Sequence, residues 1–224
     1  FPDYGYSPFM NEKFYEDWTH DLKWGIHQAR CVVGHNLKVA WNLTRMHSLM
    51  PKESYKTFAH QIADAIPGAG CDNQRGGWYD MMERTLKEGE ENYRRVWHDR
   101  KAWWQQEQGI LAYYIMAGVY DDKPEYLNFA REGTAFYNGW FLDYESGGIY
   151  FNVLANGQPY ALGSERGKGS HSMAGYHSFE LCFLAAIYSN LLVNKQPMDF
   201  YFKPDPQGWP DNKLRVAPDL LPKG

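Results

Sequence analysis

The stretch Gly76-Gly77-Trp78-Tyr79 returns further along the chain as Gly147-Gly148-Ile149-Tyr150. In both places the glycine pair is followed by aromatic or apolar residues and then by a polar turn. The second copy continues to Asn156-Gly157, a dipeptide that favours a tight β-hairpin. Self-similarity at a fixed period is typical of repeat architectures. The sequence therefore predicts units of about seventy residues, each carrying a short hairpin; two unrelated glycine pairs in an ordinary helical domain are the alternative.

Between the glycine pairs, apolar residues recur at the i, i+3, i+4 spacing of helices. Pro67-Gly68 predicts the end of one helix, and Pro124 suits the first turn of another. Each unit then consists of two helices and a hairpin, and stacked helix pairs bury their apolar faces against neighbours. Hairpins that emerge at one end would line a shared cleft. The predicted helices cover residues 36–50, 52–66, 102–119, 124–141 and 172–192.

The predicted fold class is all-α, an (α/α)6 toroid or barrel of helical hairpins with short β-hairpins at one end. Closed toroids of this kind use about six helix pairs, and 224 residues supply about half of them. We expect residues 1–200 to form the carboxyl-terminal half of the barrel and residues 201–224 to form an extended tail or linker. Because the chain starts at Phe1 and ends in an extended segment, we expect both ends to be cut from something longer.

Composition narrows the range of functions. The chain carries 23 basic and 27 acidic residues, a net charge of −4, which argues against a nucleic-acid partner. No apolar run approaches the ~18 residues of a membrane span, so a soluble protein without membrane contact is expected. Three widely spaced cysteines show no metal-ligand pattern, which predicts free thiols in a reducing compartment, and so a cytoplasmic location, and no metal site. No cofactor is expected. The 9 Trp, 17 Tyr and 12 Phe residues fit either a large aromatic core or a cleft that stacks on sugar rings.

Three segments are predicted to stand at the starts of successive inner helices. They are Gly34-His35-Asn36-Leu37-Lys38-Val39-Ala40-Trp41, Lys101-Ala102-Trp103-Trp104-Gln105-Gln106-Glu107 and Lys168-Gly169-Ser170-His171-Ser172-Met173-Ala174-Gly175-Tyr176-His177. His35 and Glu107 are separated by about one repeat, and residues one repeat apart should face the same axis. We therefore expect His35, Trp103, Glu107 and His177 around one pocket. Adjacent Trp103 and Trp104 cannot both face it. Each histidine also fits a structural role, as a helix cap or a core hydrogen-bond partner.

This ordered set of motifs over residues 30–190 resembles the N-acylglucosamine 2-epimerase and cellobiose 2-epimerase family. The resemblance implies an (α/α)6 barrel that interconverts C2 epimers, or an aldose and a ketose, of a reducing sugar. It implies His35 and His177 as the pair that moves the proton at C2, a task that suits groups titrating near neutrality. Glu107 would be the third catalytic residue, binding the sugar hydroxyls or assisting ring opening. The implied substrate-binding residues are Trp103 as stacking platform, Gln105, Lys38, Trp41, Tyr176 and Glu180.

The chain departs from the family pattern at two charged positions. The family usually has a glutamate three residues after the first histidine, where this chain has Lys38. Glu180 stands where the family often has an arginine. Because both signs are reversed, we hypothesise that Lys38 and Glu180 form an ion pair across the cleft.

Two other functions fit the same fold. A glycoside hydrolase or lyase needs two carboxylates across the cleft, for which Glu107 with Asp143 or Glu180 are candidates. A non-catalytic sugar-binding or assembly protein would keep the barrel without the chemistry. The expected partners are a small sugar and a chain or segment carrying the missing amino-terminal half, with a homo-oligomer of this chain as an option. The half barrel should expose a broad apolar face. His171 is a further cleft candidate, and Lys38 with Lys101 would favour an acidic sugar.

Overall fold

The computed structural model describes residues 7–19, 21, 30–96, 98–170 and 172–203. They form two similar units and the beginning of a third. The first unit comprises β1 (Arg30–Val32), α1 (Val33–Leu49), α2 (Glu53–Gly70) and β2 (Met81–Glu83). The second comprises β3 (Arg100–Ala102), α3 (Trp103–Val119), α4 (Pro124–Trp140) and β4 (Asn152–Leu154). The third contains a 3-10 turn (Gly163–Glu165), α5 (Tyr176–Tyr188) and a π-helical turn (Ser189–Val193).

The helices form two layers. Helices α1, α3 and α5 pack side by side as the inner layer, while α2 covers α1 and α4 covers α3. The inner helices begin at Val33, Trp103 and Tyr176, so their starts follow the repeat that the glycine pairs define. The predicted repeat of helix pairs is confirmed, and the described residues supply two complete pairs and a third inner helix.

Short strands lie at the amino-terminal ends of the inner helices. Strand β1 pairs antiparallel with β2, and β3 pairs antiparallel with β4, each across the helix pair that separates the two strands. Strands β2 and β4 also begin β-hairpins, through the antiparallel bridges of Met82 with Arg95 and of Val153 with Pro159. The predicted Asn156-Gly157 turn closes the second hairpin, since Leu154 N donates to Gln158 O at 2.9 Å. Strands β1 and β3 were not predicted, because three residues are too few to show a period.

Both glycine pairs have the backbone conformation that glycine permits. Gly76 and Gly77 have φ of 80° and 78°, and Gly147 and Gly148 have φ of 73° and 88°. A residue with a side chain is strained at such angles. The repeated glycine pair is therefore a structural signature of the turn that follows each outer helix.

Each glycine-pair turn is held by an aspartate and a lysine. Asp72 Oδ1 accepts from the backbone of Gln74 and Arg75, and Lys101 Nζ lies 2.9 Å from Asp72 Oδ2 and 2.6 Å from Gly76 O. This contact, together with the turn's hydrogen bonds, lowers the pKa of Asp72 although burial opposes ionisation. Lys101 is fully buried, so it does not offer a charge to an acidic sugar as the sequence had suggested.

The second turn repeats this arrangement with other residues. Asp143 Oδ1 accepts from the backbone of Glu145 and Ser146. Lys168 Nζ lies 2.7 Å from Asp143 Oδ2 and 2.7 Å from Gly147 O. We name each such set, Asp72 with Lys101 and Asp143 with Lys168, a lysine clamp. Asp143 therefore has a structural role, which removes one of the carboxylates considered for a hydrolase.

Helix α2 continues past Pro67 to Gly70, whereas the sequence predicted its end at Pro67-Gly68. Proline has no N–H to donate to the carbonyl four residues earlier. That carbonyl belongs to Ala63, and it accepts instead from the Tyr113 hydroxyl of α3 at 2.8 Å. A tertiary contact thus replaces the missing helical hydrogen bond, which local sequence rules do not anticipate.

The boundaries of the structure bear on two other expectations. Residues 201–203 have no regular secondary structure, and the remainder of the expected tail, 204–224, lies outside the described residues. In the part of the chain that is described, none of the helices has the length and apolar composition needed to cross a membrane. Along α5, Tyr176, Phe179 and Phe183 are 55%, 77% and 56% exposed. We call these three residues the α5 apolar stripe.

Candidate active site

An open cleft of about 320 Å³ lies where the inner helices begin and the hairpin strands meet them. Five of the nine residues predicted for the site line it. They are His35, Lys38, Trp103, Tyr176 and His177. The remaining lining residues were not predicted. The strand side of the cleft is formed by Asp80, Arg100, Phe151, Asn152 and Glu165, and Ala102, Trp104 and Ser172 complete the lining.

His35 lies in the first turn of α1 and has a carboxylate partner. Its Nδ1 is 3.1 Å from both carboxylate oxygens of Glu12, whose side chain is only 11% exposed. A carboxylate accepts hydrogen bonds, so neutral His35 carries its hydrogen on Nδ1 and keeps a lone pair on Nε2. Glu12, from a segment that precedes the helix, is therefore the acidic neighbour of His35, in place of the helix glutamate that the family has where this chain has Lys38.

His177 lies in the first turn of α5 and has the opposite hydrogen-bonding arrangement. Its Nδ1 is 3.1 Å from Nε2 of Gln108. The orientation of the Gln108 amide is fixed, because its Oε1 accepts a hydrogen bond from the Trp41 indole at 2.8 Å, and a flipped amide would lose that bond. His177 Nδ1 therefore accepts a hydrogen bond, and neutral His177 carries its hydrogen on Nε2.

The electrostatic surroundings keep His177 neutral. Burial lowers its pKa to about 4, and the charges of Lys38 and His35 act in the same direction while Glu180 opposes them. At neutral pH, His177 is therefore an uncharged imidazole that presents an N–H group rather than a lone pair.

Trp104 links the two histidines. Its ring centroid is 5.2 Å from that of His35 and 5.5 Å from that of His177. Trp103, the predicted platform, is 3% exposed and packs on Phe151 at 4.5 Å. Trp104 is the more exposed of the two indoles, so the aromatic surface between the histidines belongs to Trp104.

The hypothesised ion pair between the reversed charges is confirmed. Lys38 Nζ lies 3.1 Å from Glu180 Oε2, and the same oxygen accepts from Gln108 at 3.0 Å. The ammonium group also lies over the ring of Tyr176, 5.2 Å from its centroid. Glu180 is therefore joined to Lys38 and Gln108 below the cleft.

Glu107 does not face the cleft. It is fully buried, its Oε1 accepts from the hydroxyls of Tyr137 at 2.7 Å and Ser178 at 2.6 Å, and its Oε2 has no partner among the described residues. Burial raises its pKa to about 7.

The misplacement of Glu107 follows from the register of the repeat. The prediction made Glu107 the equivalent of His35. Because α1 begins at Val33 and α3 at Trp103, the equivalent of His35 is Gln105, and Glu107 lies two positions further along. Two positions rotate a side chain by about 200° around a helix, which places Glu107 opposite the predicted face.

Gln105 and Trp41 also lie beneath the cleft rather than in it. Gln105 is fully buried; its Oε1 accepts from Gly34 N at 2.6 Å, and its Nε2 donates to Asp80. Trp41 is 2% exposed and acts through Gln108. Both were predicted to bind substrate, and both instead hold residues that line the cleft or support it.

On the strand side of the cleft, one arginine joins two carboxylates. The Arg100 guanidinium lies 2.5 Å from Asp80 Oδ2 and 2.7 Å from Glu165 Oε2. Asn152 Nδ2 donates to the same Glu165 oxygen at 3.1 Å. Burial raises the pKa of Asp80, although Arg100 opposes this. The signal that would have found Asp80 is its place directly after the repeated glycine motif, as Gly76-Gly77-Trp78-Tyr79-Asp80.

The predicted candidate His171 lies outside the described residues. Among the residues that are described, no three His, Cys, Asp or Glu side chains come together as a metal site would require.

No protein-family model and no curated protein sequence matches the chain. Solved structures do match it. The cellobiose 2-epimerase from Spirochaeta thermophila DSM 6192 is 20% identical with a TM-score of 0.64, and that from Bacillus thermoamylovorans B4167 is 18% identical with a TM-score of 0.62; each match covers 81% of this chain. A D-mannose isomerase is 19% identical with a TM-score of 0.62 over 79% of this chain.

The chain spans 42% of the length of each of these three proteins. That share agrees with the expectation of about half a barrel. Because the identities are low, the likeness concerns the fold, and at that level it confirms the resemblance inferred from the motifs. The chain has the fold of one part of the α/α-barrel sugar epimerases and isomerases.

Proposed function

We propose that this chain forms part of the active site of an enzyme that removes the hydrogen at C2 of a reducing sugar. The observation that carries the proposal is the pair His35 and His177, which open neighbouring cleft helices on either side of Trp104 with opposite hydrogen-bonding arrangements. The three similar solved structures described above are those of sugar epimerases and isomerases by their own names, which supports the same class of substrate.

His35 is the proposed base. With Nδ1 hydrogen bonded to Glu12, its Nε2 lone pair is available to accept the C2 proton of the open-chain sugar. The hydrogen bond from Nδ1 to Glu12 is kept when Nε2 gains the proton, so the carboxylate holds the ring in place through the transfer. The carbon–hydrogen electron pair becomes the C1=C2 double bond of an enediolate, and the charge moves to O1.

His177 is the proposed hydrogen-bond donor to that oxygen. Its Nε2–H is fixed by the contact of Nδ1 with Gln108, and a neutral imidazole can stabilise an enediolate without protonating it fully. His177 then acts on oxygen rather than on carbon, and His35 alone moves the carbon-bound proton.

This division of roles favours aldose–ketose isomerisation over C2 epimerisation. His35 returns its proton to C1 while the hydroxyl hydrogen of O2 passes to O1, which gives the ketose. Inversion at C2 needs a proton from the opposite face. The two-histidine scheme that the resemblance implies would require His177 to supply that proton, and Gln108 opposes the protonated form.

The rest of the barrel belongs to the same proposal. The chain covers 42% of the length of its structural matches, and the α5 apolar stripe leaves Phe179 and Phe183 exposed. We propose that a segment carrying the missing amino-terminal half covers this stripe and closes the cleft over the sugar. We expect the reaction in the cytoplasm, where Cys31, Cys71 and Cys182 remain free thiols.

A glycoside hydrolase has less support from the geometry. Of its candidate carboxylates, Glu107 is buried away from the cleft, Asp143 is held by Lys168, and Glu180 is paired with Lys38. The carboxylates that line the cleft in the described part of the chain, Asp80 and Glu165, are both bound to Arg100.

Solvent deuterium exchange tests the function directly. The complete protein, incubated with mannose, glucose or cellobiose in D2O, should introduce deuterium next to the carbonyl, as read by proton NMR. His35→Gln should slow exchange at least about a hundredfold, the usual contribution of a positioned base. His47→Gln is the matched control at the far end of the same helix, because the structure places His47 against the backbone of Lys52, and it should keep full exchange.

The products separate the remaining alternatives. A ketose as the first product supports the proposed single base, whereas the C2 epimer without a ketose would reject it in favour of two bases. Release of a new reducing end from an oligosaccharide would indicate a hydrolase. Sugar binding without exchange in the complete protein would reject catalysis and leave a binding protein.

A further inference from the structure

We infer that Asp80, Arg100, Asn152 and Glu165 form a subsite that binds two neighbouring hydroxyls of a neutral sugar, away from its reacting carbons. We call these four residues the strand-side subsite, because they lie on or beside the hairpin strands rather than on the helices that carry the histidines. The inference rests on the proposed function for the identity of the ligand as a sugar, and it adds how the sugar is held.

The first observation is an unpartnered oxygen. Asn152 lines the cleft and is 1% exposed. Its Nδ2 donates to Glu165 Oε2 at 3.1 Å, which fixes the orientation of the amide, because the reverse orientation would place two acceptors together. Its Oδ1 is buried and has no hydrogen-bond partner among the described residues. Buried carbonyl oxygens are normally satisfied, and a ligand hydroxyl would satisfy this one.

The second observation is the arrangement around Glu165. Its hydrogen bonds from Arg100 and Asn152 both reach Oε2, so Oε1 can accept from a ligand. The acceptors Asn152 Oδ1 and Glu165 Oε1 belong to two groups that are hydrogen bonded to each other. They therefore lie close enough together to receive hydrogens from adjacent hydroxyls on one ring. Phe151 and Trp103 pack together beside them and offer an apolar wall to the C–H face of the sugar.

The third observation is the charge balance. Lys38 and Arg100 are the basic side chains in the described part of the cleft, and each has an acidic partner. Lys38 is paired with Glu180, and Arg100 is paired with Asp80 and Glu165. Arg100 faces two carboxylates, so the strand-side subsite carries a net negative charge when all three groups are ionised. A uronate or phosphate group would be repelled there, whereas hydroxyl donors suit carboxylate and amide acceptors. The strand-side subsite therefore favours a neutral sugar, in contrast to the acidic sugar that the sequence had suggested.

Methyl α-D-glucopyranoside and methyl α-D-mannopyranoside test the subsite without any reaction, because a blocked anomeric carbon prevents ring opening. Calorimetric titration of the complete protein should show binding of at least one of them. Asn152→Ala and Glu165→Gln should each raise its Kd about tenfold, as expected for a lost hydrogen bond to a buried or charged group. Gln158→Ala is the matched control, an exposed side chain on the same hairpin, and should leave Kd unchanged.

Deoxy analogues of the same glycoside identify the contact. Removal of either of two adjacent hydroxyls should weaken binding to the parent protein, and Asn152→Ala or Glu165→Gln should add little further loss for those analogues. The subsite is overturned if neither glycoside binds, if both variants bind like the parent, if variant and deoxy effects add at every position, or if the methyl glucuronide binds more tightly than the neutral glycoside. Because Glu165 is partly exposed, its variant remains informative should Asn152→Ala fail to fold.

The two proposals can fail separately. Glycoside binding that depends on Asn152 and Glu165, without deuterium exchange into any reducing sugar, would keep the subsite and reject the isomerase. If the protein exchanges deuterium into a reducing sugar, and both variants keep the parent's Kd for the glycoside and its KM for the reducing sugar, the isomerase stands and the subsite is rejected.

Discussion

The amide of Gln108 determines which nitrogen of His177 faces the cleft. It accepts one hydrogen bond from Trp41 and donates others to His177 and Glu180. All three residues were predicted to act on the substrate, whereas Gln108, which contacts them all, was not predicted. A donor directed at Nδ1 stabilises the neutral imidazole, which acts together with burial and the Lys38 charge.

We predict that Gln108→Leu raises the pKa of His177 from about 4 towards the ordinary histidine range, because Nδ1 then loses its donor and can itself carry a hydrogen. In ¹⁵N spectra of histidine-labelled protein, the parent should show neutral His177 with its hydrogen on Nε2 at neutral pH. Gln108→Glu should raise the pKa further by adding a negative charge. If His177 titrates alike in all three proteins, Gln108 does not set its protonation.

The same lowered pKa has a consequence for stability against pH. A histidine whose folded pKa lies below its unfolded value of about 6.5 disfavours the folded state once the unfolded chain begins to bind the proton. Stability should therefore decline as pH falls from about 6.5 towards 4, and His177→Asn should reduce that decline. Chemical unfolding at pH 7 and pH 4.5 measures the difference.

Sequence patterns located the histidines but not their partners. His35 and His177 open helices after recognisable motifs, so their place at the cleft followed from the repeat. Glu12 and Gln108 lie 23 and 69 residues from the histidines they contact, and no period connects them. Glu107 was misplaced by an error of two positions in the assumed register, which is enough to reverse a position on a helix.

At the scale of elements, the two lysine clamps have the same contacts but differ in how far they are buried. Lys101 is fully buried with Asp72, whereas the side chains of Lys168 and Asp143 are 30% and 13% exposed. Burial makes an ion pair costly to break, because the remaining charge has no water to replace its partner.

We predict that Lys101→Met lowers the free energy of unfolding by about 3 kcal/mol, the range expected when one partner of a buried pair is removed. Lys168→Met should cause a clearly smaller loss, because solvent can reach Asp143. Urea unfolding of both variants measures the two losses. Equal losses would mean that burial does not distinguish the clamps.

Long elements were predictable and short ones were not. The helices extend over several turns, so their apolar period identifies them. Strands β1 and β3 contain three residues each and were missed. The end of α2 was misjudged because Tyr113, 50 residues away, satisfies the carbonyl that Pro67 leaves free.

At the scale of the whole molecule, the α5 apolar stripe is the surface that we propose the rest of the barrel covers. One face of α5 is buried through Leu184, Ile187 and Tyr188, while Phe179 and Phe183 on another face remain exposed. The repeat length and the chain length together predicted this exposed surface. They did not predict which residues would form it, because that depends on the rotation of α5 against α3.

We predict that Phe179→Asp destabilises the complete protein by about 3 kcal/mol, as expected for the loss of a buried aromatic side chain. In the 224-residue chain alone, the same change should leave stability unaltered and improve solubility. Leu162→Asp is the control, since Leu162 is also exposed, at 68%, but belongs to the segment directly before the 3-10 turn rather than to α5. It should have little effect in either form. A Phe179→Asp effect of equal size in both forms, measured by urea unfolding, would show that no further segment covers the stripe.

The lysine clamps also determine where this architecture can be divided. Lys101 and Lys168 each contact a turn that belongs to the preceding unit. The glycine-pair turn of one unit therefore depends on a lysine from the next. The clamp is not a feature of every strand that precedes an inner helix, since Cys31 stands in β1 where β3 has Lys101. Where the clamp is present, a turn that is separated from its lysine would lose its cation. A protein engineer who shortens or permutes such a barrel should therefore cut after the lysine, not at the glycine-pair turn.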